Sequence, residues 1–128
     1  MKIRNYSWND FDAAVMASQR PEGKSLYGLP RGGLIFAVAL SHKYNLPLID
    51  YPDSHTILID DIADKGKNIY KARQQFGLLT AVVLVKRHSC RASNILFIEE
   101  EETEDWIVFP WENKEKTQED YRQYISRK

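Results

Sequence analysis

The reading of this chain turns on TILIDDIADKGKN, residues 56–68. Three apolar β-formers, Ile57 to Ile59, run into Asp60 and Asp61, then Asp64, then Gly66 between Lys65 and Lys67. An apolar run without alternation suits a strand covered on both faces, as at the centre of a parallel sheet. Neighbouring residues on a strand point to opposite faces. One carboxylate at the mouth of a strand is ordinary, and two in succession suggest a shared ligand. Such oxygens suit two tasks: accepting hydrogen bonds from a sugar diol, or holding Mg2+ directly or through water.

Gly66 falls where the strand turns into a helix opened by Lys67 and Asn68. Free amides and the positive end of the helix dipole make such a turn a phosphate cradle. A plain glycine turn with solvated lysines fits the same residues. A Walker A loop does not, since Asp61 stands where glycine is required and Asn68 where Ser or Thr is required. A receiver-type phosphoacceptor would carry its acidic pair after the first strand, whereas here the pair follows the third.

Working outward, strand and helix signals alternate. Trp8, Phe11 and Val15 recur at helical spacing and predict an amphipathic helix over 9–19. RPEGK breaks it, and 25–29 reads as a short strand. PRGG leads into LIFAVALSHKY (34–44), apolar nearly all round and so a buried helix. LPLI (46–49) and TILID (56–60) read as strands, and Ile69, Ala72, Arg73 and Phe76 mark a helix. Further strands are expected at 79–86, in NILFIE (94–99) and in DWIVFPW (105–111). Thr117 with Asp120 has the spacing of a capping pair before a short closing helix. From residue 25 the order β-α-β-β-α-β-β predicts an α/β fold: three layers, a mostly parallel central sheet and helices on both faces. Ligands of such sheets sit at the carboxyl ends of the strands. PRGG, DDIADKGKN and KRHSCR (86–91) all fall there.

The 128 residues suit a single domain, 1–128. Lys plus Arg and Asp plus Glu both number 18, so no global field points to nucleic acid or membrane. Charge is uneven locally: IEEEETED (98–105) is acidic, with 99–105 reading as a solvated loop, whereas KRHSCR is basic. The one cysteine, Cys90, fits a reducing compartment, and no apolar run reaches membrane-spanning length. The first residues lack the apolar stretch of a signal peptide, so a soluble cytoplasmic protein is expected. His42, His55, His88 and Cys90 show no zinc-ligand spacing. Arg31, Gly32 and Gly33 offer a guanidinium and glycine amides to a second anion, unless PRGG is a plain turn. Lys86 could aim a cation into the mouth or stand exposed at a strand end. Trp106 and Trp111 could be core, or one could stack on a planar ring.

These clusters together resemble the type I phosphoribosyltransferases. ILIDDIADKGKN resembles that family's signature for 5-phosphoribosyl 1-diphosphate (PRPP), and GLPRGG resembles its pyrophosphate loop. VKR followed by DWIVFPWE resembles the bacterial xanthine-guanine and hypoxanthine branch. The similarity covers roughly residues 25–112. It implies a sheet of that family's type with a small C-terminal hood, and transfer of phosphoribosyl from PRPP to a 6-oxopurine. By the same resemblance, Asp60 and Asp61 receive the ribose hydroxyls and contact Mg2+. Ala63, Asp64, Lys65, Gly66, Lys67 and Asn68 form the loop around the 5-phosphate, while Arg31, Gly32 and Gly33 hold pyrophosphate. A cis peptide at Pro30–Arg31 is expected. Asp64 matches the acid near purine N7 and is the expected catalytic proton acceptor. Lys86 would meet the 6-oxo group, Trp106 would stack on the ring and the Ile107 backbone would meet its edge. The implied partners are PRPP and a purine base, in a homodimer or higher homo-oligomer.

Two departures stand out. Lys65 and Asn68 replace threonines usual in the phosphate loop. Family members also carry a long flexible segment before the PRPP strand, and here only DYPDSH (50–55) separates LPLI from TILI. A lid excludes water from a reactive cation. Its absence raises an alternative: a PRPP- or nucleotide-binding regulator with weak or no transfer.

Overall fold

Ile57, Leu58 and Ile59 are almost wholly withdrawn from water, and the strand they form has a partner on each side. In the computed structural model, which describes residues 2–126, the elements are β1 (Ile3–Asn5), α1 (Trp8–Ala17), β2 (Ser25–Gly28), α2 (Gly32–Tyr44), β3 (Thr56–Ala63), α3 (Lys67–Phe76), β4 (Ala81–Arg87), β5 (Ile95–Glu101), β6 (Trp106–Val108) and α4 (Lys114–Ser126). The central sheet has the order β2-β3-β4-β5 with every pair parallel. β1 and β6 form a separate parallel pair.

The alternation of β3 divides the core. Ile57 and Ile59 pack with Phe36, Ala37 and Leu40, the buried side of α2, and with Phe11 of α1. Leu58 faces the other way, with Ile69 and Ala72 of α3 and with Ala81 and Val83 of β4. Helices therefore cover both faces, and the three-layer reading holds. Ser7 closes α1 with a capping box: its Oγ accepts from the Asp10 amide at 3.0 Å, and Asp10 accepts from the Ser7 amide at 2.8 Å. Phe109 stacks on Trp111 at 5.0 Å between ring centroids, and Trp111 meets Phe11 at 5.5 Å. The segment after β6 is thereby locked over the α2 face.

Five expectations need correction. The helix of 34–44 is not buried all round, since Leu34 and Val38 stand 46% and 44% exposed on the side away from the sheet-facing Phe36, Ala37 and Leu40. LPLI is not a strand and makes only an isolated bridge, Leu48 to Leu26. Pro47 accepts from the Leu26 amide at 2.9 Å but has no N–H with which to extend a ladder. DWIVFPW yields only Trp106–Val108, paired with β1 instead of the central sheet. β1 itself carries no apolar alternation and was not expected. Thr117 lies inside α4, which starts three residues earlier. Asn113 caps that helix, its Oδ1 accepting from the Lys116 amide at 3.0 Å, and Asp120 pairs with Lys116 at 3.2 Å. Finally, Glu99 to Glu101 belong to β5, and Glu101 is buried with its charge met by Arg4 and Arg87.

Phe36 is fully buried at the junction of α2 with the sheet. Phe36→Ala is expected to cost about 3–5 kcal/mol of unfolding free energy. Leu78→Ala, at a residue 88% exposed, should stay within about 0.5 kcal/mol. Urea titration of both variants checks the assignment of the core.

Candidate functional site

β3 continues past the expected residue 60 to Ala63, so both acids of the pair are strand residues, with Asp60 opposite Val83 of β4. Asp60 is 5% exposed, and its Oδ1 accepts from the Asp61 amide at 2.9 Å. Asp61 Oδ1 accepts from the Ile62 amide at 2.7 Å. Burial, and then the neighbouring Asp61 charge, push Asp60 up to about 8. Burial raises Asp61 as well. In the ligand-free chain the pair resists carrying two charges. Hydroxyl donors or a cation would make the doubly ionised form favourable.

The glycines after β2 seat a second turn directly on this pair. The Leu29 amide donates to Ile59 O at 2.7 Å, Pro30–Arg31 is cis as expected, and α2 begins at Gly32. A Cβ on Gly32 would overlap the Asp61 carboxylate, and one on Gly33 would stand 2.9 Å from Asp60 Cα. The Gly33 amide is already committed to Leu29 O at 2.9 Å. Gly33 therefore contributes close approach, leaving the Gly32 amide and the exposed Arg31 as the candidate anion donors.

Gly66 caps α3 in the left-handed region, at φ +80°, a conformation that side-chain-bearing residues adopt at a cost. The turn leaves first-turn amides of α3 without helical carbonyl partners. Asp64 to Ile69 line a cleft of about 750 Å³ together with Asp60 and Asp61, so the acid pair and the glycine turn share one space. Glu104 and Tyr124 also line it.

The residues expected at the base, Lys86, Trp106 and Ile107, do not line this cleft. Lys86 is held by Glu100 at 3.1 Å and does not line that cleft. Trp106 packs against Tyr124, ring centroids 4.9 Å apart, and against Tyr121 at 6.1 Å. Tyr124, not Trp106, is the aromatic side chain at the cleft wall. Ile107 and Ala63 are buried in the two halves of the core. Among the described residues no three His, Cys, Asp or Glu side chains cluster as a metal site, so Asp60 and Asp61 offer two hard oxygen ligands and not a closed cage.

Sequence reasoning missed Arg87 and Tyr124. Arg87 Nε lies 3.3 Å from Asp64 Oδ1, and its Nη1 donates to Glu101 Oε1 at 2.8 Å. Glu101 Oε2 in turn meets Arg4 Nη1 at 3.1 Å. The signal was present as opposite charge in KRHSCR and IEEEETED, which β4 and β5 bring side by side.

The raised Asp60 sets a pH dependence for the ligand-free chain. Between its unfolded value, 3.8, and its folded value, about 8, the folded state keeps a proton that the unfolded chain has released. Stability therefore falls as pH rises across that window, by up to about 1.4 kcal/mol per unit. Asp60→Asn, which cannot ionise, should flatten this fall and melt above the native chain at pH 8. Thermal melts from pH 5 to 8 decide it; an Asn variant melting no higher at pH 8 would contradict the burial argument.

No family model matches the chain, and no curated protein does. Solved structures do. A purine phosphoribosyltransferase from Pyrococcus horikoshii superimposes with a TM-score of 0.71 at 24% identity, covering 88% of this chain and 96% of that one. A xanthine-guanine-hypoxanthine phosphoribosyltransferase from Helicobacter pylori gives 0.71 at 16%, covering 92% and 99%. A hypothetical protein from Neisseria gonorrhoeae with bound ppGpp gives 0.69 at 15%, covering 99% and 98%. The chain has the type I phosphoribosyltransferase fold.

Proposed function

We propose that the chain transfers the 5-phosphoribosyl group of PRPP to a 6-oxopurine, releasing pyrophosphate. The observation that carries this reading is the opening of the acid pair and the Gly66 turn onto one cleft, with the Arg31–Gly32 turn seated on Asp61. A sugar bearing a 5-phosphate and a 1-diphosphate calls for features of those three kinds. Asp60 and Asp61 would take the ribose hydroxyls, residues 64–68 the phosphate, and Arg31 with the Gly32 amide the pyrophosphate.

Asp60 and Asp61 fit Mg2+ as a hard-oxygen pair that leaves most ligand positions to substrate and water. When bound, the ion would neutralise charge on the departing pyrophosphate. The C1–oxygen bond of PRPP breaks with its electron pair leaving on pyrophosphate, and a bond forms from C1 to a purine nitrogen. Asp64, whose side chain is 45% exposed at the cleft, accepts the proton that the purine gives up. The protein contributes chiefly positioning and charge placement. On the base side, Trp106 and Tyr124 supply aromatic surface, and Lys86 would exchange Glu100 for the 6-oxo group. The Ile107 backbone remains the candidate for the base edge.

A second reading, a nucleotide-binding regulator, draws on two observations. Residues 50–55 are too short for the usual lid, and the Neisseria protein that matches along 99% of this chain carries ppGpp. The same anion turns would receive its diphosphates.

Pyrophosphate release measured with PRPP, Mg2+ and each of guanine, xanthine, hypoxanthine and adenine separates the two. Base-dependent release with a 6-oxopurine and not with adenine is expected. Asp64→Asn should lower the rate about 10²–10⁴-fold. Equal rates for native and Asp64→Asn chains would remove Asp64 from the chemistry, and nucleotide binding without release would favour the regulator.

A further inference from the structure

We infer that Arg87 is a positioning residue that holds the Asp64 carboxylate in its working orientation, an inference that rests on the reading of Asp64 as proton acceptor. Asp64 stands on the turn after β3 with nearly half its side chain exposed, where a short acid would otherwise rotate freely. Arg87, at the end of β4, is 3% exposed. A buried guanidinium needs counter-charge and hydrogen bonds along both edges of its plane.

One side is fully made. Nη1 donates to Glu101 Oε1 at 2.8 Å and to Thr103 O at 3.3 Å. Glu101 is itself fixed, by Thr103 Oγ1 at 2.9 Å and by Arg4 Nη1 at 3.1 Å. Arg4 is braced by Glu99, with Nη2 donating to Oε1 at 2.9 Å. The guanidinium is thus clamped through β5 to β1 and cannot follow a moving partner. The other side is unfinished. Arg87 Nε is buried without an aligned hydrogen bond, although Asp64 Oδ1 lies only 3.3 Å away. A buried donor left open toward a cleft carboxylate is costly unless that carboxylate comes to it. A small rotation of Asp64 completes the bond on Oδ1 and leaves Oδ2 for the purine.

Glu101 would keep Arg4 if Arg87 were removed, so the clamp does not collapse with its central member. The phosphate and ribose contacts belong to other residues. Arg87 should therefore affect turnover and not PRPP affinity.

The test is a double-mutant cycle on the full chain, with kcat for pyrophosphate release and calorimetric PRPP affinity as readouts. Arg87→Met is expected to lower kcat about 10–100-fold, as a misplacement of roughly 1 Å would, with PRPP affinity within about twofold. Arg87→Lys should recover part of the loss. In an Asp64→Asn background Arg87→Met should add nothing, because residues acting as one unit are not additive. If Arg87→Met does not fold, Arg87→Lys carries the same cycle. Multiplicative losses, or a PRPP affinity that falls with kcat, would overturn the inference while leaving Asp64 its role. A native chain without base-dependent release, or an unimpaired Asp64→Asn chain, would fell the proposed reaction, and this inference with it.

Discussion

Two carboxylates carried out of the core on one strand constrain everything around them. Asp60 is buried beside Asp61, and neither oxygen pair can shed its neighbour's field without a ligand. The backbone answers locally, with amides of Asp61 and Ile62 turned onto the acids. The second answer comes from α2, whose first residues must be glycines because any side chain would strike the acids or the strand beneath them. The third is the left-handed Gly66, which turns the chain back so that α3 opens onto the same cleft. A strand end of this kind resists ionising on its own and becomes favourable when hydroxyl donors or a cation reach it.

What covers such a site matters as much as what lines it. The proposed transfer would pass through a glycosyl cation open to water, and the short link between residues 49 and 56 leaves no length for a long closing loop. α4 presents Tyr124 to the cleft and packs it on Trp106, so the aromatic surface of the hood is shared between a strand and a helix. Phe109 and Trp111 anchor the connection to the core beside Phe11.

The parts legible in the sequence are those whose cause is local. Ile57 to Ile59 name a strand buried on both faces. LIFAVAL names a helix, but its apolar composition hid the solvent face on which Leu34 and Val38 stand half exposed. Gly66 names its own turn, and the resemblance of GLPRGG pointed to the cis bond at Pro30–Arg31. The parts that escaped depend on partners distant in the chain. Glu99 to Glu101 look like a solvated run until Arg4 and Arg87 are placed beside them. Lys86 looks like a cation free for a ligand until β5 sets Glu100 next to it. LPLI has the composition of a strand, yet Pro47 withholds the donor that a ladder needs. The face that α4 turns inward carries Tyr121 and Tyr124, three residues apart, but their shared partner Trp106 lies outside that helix and is not named by its spacing.

The central claim is that the acids at the end of β3 and the two anion turns form one site for PRPP. Calorimetric titration of the native chain with PRPP, in the presence and absence of Mg2+, tests it most directly. The account predicts saturable binding at one site per chain that weakens when Mg2+ is withdrawn. A folded chain giving no saturable heat with PRPP and Mg2+ would contradict it.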